Sequence, residues 1–161
     1  MDAQQRQSKR NLAHRLAVLG LGLYSGVMLT IGLGLGRYWL SLPPAEFVAW
    51  FTPNFWFLLP TIAATLPVAL VGTVWSIRLA DPGDGTWRKV LLLLVVTLVV
   101  TAAYHLPANI RIWSGELSDG RVANELTWWL CAHVVRVVAA IAAAWIGLGA
   151  MGAQAPARPA S

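Results

Sequence analysis

His133 and Arg136 stand three residues apart in a stretch, Leu126–Met151, whose other side chains carry no charge. Helical neighbours three and four apart share a face, so Glu125, Trp129, His133 and Arg136 form one stripe. Imidazole moves protons near neutral pH. A guanidinium stabilises an enolate or phenolate oxygen, most strongly where water is excluded. Earlier in the chain, Tyr104 and His105 precede Asn109, whose amide can orient a carbonyl. Together these groups suit deprotonation of an electron-rich aromatic compound that then meets oxygen. The expected roles are His133 as base, Arg136 as oxyanion or carbonyl partner, and Asn109 as the third catalytic group. His105, Trp129, Trp50 and Glu46 are expected to line the substrate, the two tryptophans by stacking on a flat ring. A second reading is a metal ion on His105 and His133, with Glu46 or Glu125 as third ligand. A third is a non-catalytic membrane assembly or small-molecule-binding protein, with the histidines hydrogen-bonding locally and Arg136 clamping backbone carbonyls as structural glue. No metal-binding motif with fixed spacing is present, so a cofactor-free site is the favoured expectation.

What must position these residues is a set of membrane spans. The chain has 161 residues, 57% hydrophobic and only 12% charged, about half the charged fraction of an average soluble domain. Charge is absent from Leu16–Gly36, Thr52–Ile77 and Val90–Ile110. With the His133 stretch this makes four runs, each close to the roughly 20 residues that a spanning helix requires. The predicted fold is all-α, an integral-membrane four-helix bundle, with spans at about 14–36, 55–79, 87–106 and 124–151 and Asn124 as N-cap of the fourth. Residues 1–11 read as a polar cytoplasmic segment, disordered or lying on lipid, and 153–161 as a disordered cytoplasmic tail. Residues 12–152 form the membrane domain.

Eight basic residues (Arg6, Lys9, Arg10, Arg15, Arg78, Arg88, Lys89 and Arg158) fall on one side of this arrangement, against Arg37, Arg111 and Arg121 on the other. The positive-inside rule then places both termini in the cytoplasm and the chain in the inner (plasma) membrane as a multi-pass protein. The basic start is topological, and nucleic acid is not an expected partner. The first run exceeds a signal-peptide core in length and reads as a retained span. The single Cys131 excludes an internal disulfide and a dithiol mechanism, and reads as a small buried packing residue.

The connection RYWLSLPPAEFVAWFTPNFW is aromatic and proline-rich. It is expected to cap the bundle on the outer side, with a short helix over 45–51 and with Trp39, Trp50 and Trp56 at headgroup depth. Pro60 and Pro67 should kink the second span, with Thr61 and Thr65 near the carbonyls they free. Pro107 should end or bend the third. Gly22/Gly26 and Gly32/Gly36 in the first span are four apart, a spacing that lets helices approach closely in lipid. Packing within the bundle is the expected use, and a homo-oligomer through this glycine face is the alternative. The expected partners are thus membrane lipid, a lipophilic small-molecule substrate and a second copy of the chain.

The segments HLPANIRIW, WW and HVVRVVAAIAAAW resemble the C-terminal half of the anthrone-oxygenase-like family of small four-span membrane proteins. The matching positions are Pro107, Asn109, Trp128 or Trp129, His133 and Arg136, and WLSLPPAEFVAWF resembles the first outer loop of bacterial members. His105 stands where many relatives would carry Asn. The resemblance implies a four-helix membrane bundle and, through fungal members, oxidation of anthrones to anthraquinones by molecular oxygen without a dedicated cofactor. No carboxylate lies inside any predicted span. A cation at membrane depth needs compensation, so Glu46 is expected to dip inward and approach His133 or Arg136.

Overall fold

A computed structural model describes residues 2–152. Four helices are long and apolar enough to cross a membrane: α1 (Ala3–Leu40), α2 (Pro44–Leu79), α3 (Thr86–Trp113) and α4 (Asp119–Gly152). No strand occurs among the described residues. Short turns join consecutive helices, so neighbours run antiparallel. α1 packs on α2 and α4, and α3 packs on both of these, closing a ring around one continuous core from Ala17 to Ala143. The all-α four-helix bundle read from the four apolar runs is therefore the observed fold.

One end of the bundle carries both ends of the described chain, Asp2 and Gly152. There α1 does not fray. Asp2 caps it by accepting the Gln5 backbone N–H at 2.6 Å. Arg10 reaches Asp81 in the α2–α3 turn at 2.7 Å, with Arg6 at 3.9 Å from the same carboxylate. His14 packs on Trp87, ring centroids 4.7 Å apart. Of the expected disordered or lipid-bound start, disorder is corrected: the first helix begins at Ala3, and its polar turns have partners across the bundle. The predicted tail at 153–161 lies outside the described residues. In the turn, Asp84 accepts the Thr86 backbone N–H at 2.9 Å, which holds this carboxyl below its ordinary range.

The other end is closed by a cap. Pro44–Asn54 forms a helix with Pro44 in its first turn, where a missing N–H costs nothing. A 3₁₀ turn, Phe55–Leu58, joins it to Leu59–Leu79, so cap and spanning helix are one element, α2. Trp39 is the cap's anchor. It is 1% exposed and meets Phe47, Phe51 and Trp129 with centroids 5.5–5.8 Å apart. Trp39 and Trp129 are therefore interior, whereas Trp56, Trp113 and Trp128 are exposed as a boundary belt requires. Cys131 is also exposed, not buried.

Two π-helical segments interrupt the spans, Thr30–Gly36 in α1 and Thr101–His105 in α3. The second ends just before Pro107, which has no N–H to continue the i→i−4 ladder. The widened turn absorbs the defect, so the proline neither ends α3 nor stops it from continuing to Trp113. In α2 the Thr61 and Thr65 hydroxyls bond the carbonyls of Leu58 and Thr61, and not the i−4 carbonyls that Pro60 and Pro67 free. Asn124 lies inside α4, which starts at Asp119.

The glycines divide by face. A Cβ on Gly20 would overlap the Ala69 backbone, and one on Gly72 would overlap the backbone of Ala17. This reciprocal contact sets the α1–α2 distance. Gly32 and Gly36 face His133 and Leu130 of α4, while Gly22 and Gly26 face open space. Gly20→Leu should therefore destabilise the bundle by about 3 kcal/mol or more, since overpacking against backbone has no side chain to displace. Gly22→Leu should stay within about 0.5 kcal/mol of wild type. Thermal melts in one detergent compare the two, and equal losses would refute the assignment of faces.

Candidate functional site

The register of α1 against α4 places the polar residues. Gly36 opposes Leu130, Gly32 opposes His133, and Gly147 opposes Val18 and Leu21. A glycine at 32 leaves just the width of the His133 ring, whose nearest atoms would lie 3.2–3.3 Å from an added Cβ. His133 Nε2 lies 2.9 Å from the Met28 carbonyl oxygen. A carbonyl only accepts, so Nε2 carries the proton and Nδ1 presents a lone pair. That Nδ1 is buried and has no hydrogen-bond partner.

Arg136 lies one turn deeper and is 5% exposed. Trp128, exposed in the aromatic belt, is eight residues closer to the cap, which puts Arg136 about 12 Å below the belt at 1.5 Å per residue. Its Nη2 donates to the Met28 thioether at 3.4 Å. The Tyr24 hydroxyl, which itself reaches Thr97 Oγ1 at 3.3 Å, lies within electrostatic reach. Nε of Arg136 is buried without a partner. Among the described residues the ion pairs join Arg6 and Arg10 to Asp81 and Arg111 to Glu125. No carboxylate meets Arg136.

His105, at the end of the α3 π-segment, has Nδ1 3.3 Å from the Val100 carbonyl, and Nε2 is buried without a partner. Trp129 and the two histidines form a triangle of rings, with the His105 and His133 centroids 6.0 Å apart. Trp129 stacks on His133 at 5.2 Å and meets His105 edge-on at 4.6 Å. Its indole N–H donates to Asn109 Oδ1 at 2.8 Å. Under the cap lies a cavity of about 240 Å³, lined by Trp39, His105, Asn109, Trp129 and Arg136 among apolar side chains that include Phe51 and Phe55. It is slightly smaller than the usual small-molecule pocket of about 300–1,000 Å³, which favours a compact ligand.

Arg136, His105, Trp129 and Asn109 thus line one cavity, and His133, stacked on Trp129, lies just outside its lining. Two of the predicted lining residues do not join them. Glu46 is exposed on the cap helix and pairs with neither His133 nor Arg136, because the aromatic face of that helix, with Phe47 and Phe51, is the one turned inward. Trp50 packs on Tyr38 and Trp39 and buttresses the cap without lining the cavity. Glu125 is engaged by Tyr104 at 3.1 Å and Arg111 at 2.6 Å. Both carboxylates considered as a third metal ligand are therefore placed elsewhere, and no cluster of three or more metal-ligating side chains occurs among the described residues. Met28, Tyr24 and Trp39 were missed from sequence. Tyr24, a polar ring on a glycine-rich apolar helix, was the one legible signal among them.

No family model, curated protein or solved structure matches the chain.

A cation at this depth without an anion is costly, about 2.5–3.5 kcal/mol on insertion scales. Arg136→Met should raise the stability of the ligand-free protein by about 1–3 kcal/mol, read as a higher melting temperature in detergent. A marked fall would make Arg136 a structural clamp. Glu46→Gln should leave the melting temperature unchanged, as for other solvated surface positions, within about 0.5 kcal/mol.

Proposed function

We propose that this chain is a multi-pass membrane enzyme of oxygenase type, acting on a lipophilic aromatic or quinone-like compound held in the cavity under the cap. The observation that carries this reading is a buried cation without a carboxylate partner at the wall of this cavity, beside His105 with an unpartnered Nε2, while His133, with an unpartnered Nδ1, packs behind Trp129 just outside the lining. A purely structural cluster would be saturated by protein groups. In the proposed reaction an acidic C–H or O–H of the ligand gives its proton to His133, which lies outside the cavity lining and is reached past the His105 ring at the wall, centroids 6.0 Å apart. The resulting enolate or phenolate oxygen pairs with Arg136, while Asn109 and Trp129 position the ring and His105 lines the site. Oxygen then reacts with the electron-rich anion. For an anthrone the balance is one O₂ consumed, the ring CH₂ converted to C=O, and one water released. The chain's own residues supply deprotonation and charge stabilisation, and no dedicated cofactor is invoked.

Support for orientation comes from charge. The end bearing Arg6, Arg10, Arg15, Arg78, Arg88 and Lys89 is the cytoplasmic one in this reading, and the cap faces outward. A reporter fused after Ser161 should then read cytoplasmic, and a signal from the opposite side would overturn the topology.

The catalytic test is oxygen-dependent turnover of an anthrone panel by membranes holding wild type, His133→Ala or Arg136→Gln, corrected for membranes without the protein. Loss of a general base should lower the rate by about 10²–10⁴-fold. Equal rates for wild type and His133→Ala would remove His133 from the chemistry. Metal analysis of purified, active protein should show no stoichiometric transition metal, and finding one would displace the cofactor-free scheme.

A further inference from the structure

On the far side of His133 from the cap cavity runs a second concavity, about 420 Å³, between α1 and α4. Its walls include Leu29, Leu33, Leu130 and Val134, its floor includes Gly32, and Arg37 stands at its cap-side mouth. Leu33 and Val134 are exposed on the outer surface of the bundle, so the groove opens sideways, toward the hydrocarbon when the helices span a membrane. From Leu29 to Leu40 it follows eleven residues of α1, or about 16 Å at 1.5 Å per residue. That is about half of a roughly 30 Å hydrocarbon core, the depth of one leaflet.

Its mouth lies at the membrane boundary. Tyr38, next to Arg37, and Trp128 are both exposed at this level, and exposed aromatic rings of this kind settle among headgroups. Arg37 is exposed and pairs with no carboxylate among the described residues. A free cation at the headgroup plane, above an aliphatic trough one leaflet deep, is complementary to an anionic amphiphile.

We propose that this groove is a binding site for one anionic phospholipid, its phosphate on Arg37 and one acyl chain lying over Gly32 beside His133. The glycine is what makes the trough. Any larger side chain at 32 would fill it, and the π-helical segment of α1 widens the same stretch.

Native mass spectrometry of delipidated protein given equimolar phosphatidylglycerol and phosphatidylcholine tests the site. Wild type should retain the anionic lipid about fivefold better, the ratio expected from ~1 kcal/mol per basic residue at an anionic surface. Arg37→Gln should bring the two lipids to parity, and Arg37→Lys should restore the preference. Val134→Trp, a change on an exposed wall, should reduce retention of both lipids by filling the trough. Equal retention of the two lipids by wild type, an unchanged preference in Arg37→Gln, or full lipid retention by Val134→Trp would each overturn the proposal.

Discussion

The rest of the bundle is arranged around the cost of keeping Arg136 at mid-depth. A guanidinium cannot lose its proton under ordinary conditions, so the surroundings must accommodate the charge. They do so with soft and neutral groups, the Met28 thioether and the Tyr24 hydroxyl. The nearest designed salt bridge on α4, Glu125 with Arg111, is close to the cap. A neutral nest of this kind tolerates the cation without neutralising it. Its charge is therefore left uncancelled, where a buried carboxylate would have paired with it.

Steric fit and a few hydrogen bonds hold the rest of the site. Gly32 leaves room for His133, and Gly20 and Gly72 bring α1 and α2 together backbone to backbone. Trp129 packs against both histidines and is fixed at its indole N–H by Asn109. The α3 π-segment lets the helix pass Pro107 and leaves His105 at the cavity wall. Each of these devices is a small local departure from an ideal helix, and π-turns of this sort recur at functional positions.

The four spans were legible because long uncharged runs have few other uses, and the His133–Arg136 stripe because helical spacing is rigid. The contacts between helices were less legible. Gly22/Gly26 and Gly32/Gly36 have the same spacing, yet only the second pair packs on another helix, since facing depends on rotation that no spacing encodes. Glu46 was misplaced for a related reason. Its segment is short and amphipathic, and the burial of Phe47 and Phe51 decided which side turned inward. The order of the first turns of α1 depended on Asp81, a residue 71 positions from Arg10, which sequence-local reasoning does not reach.

The cap is not a loop with its own freedom. It is the leading part of α2, joined to the spanning part through Phe55–Leu58, a short turn that contains no buried residue. Roof and wall of the cavity are therefore parts of one element. The tilt of a spanning helix answers to the thickness of the bilayer around it. In a bilayer, a change in that tilt would be passed along the same element to the roof of the chamber that holds Arg136.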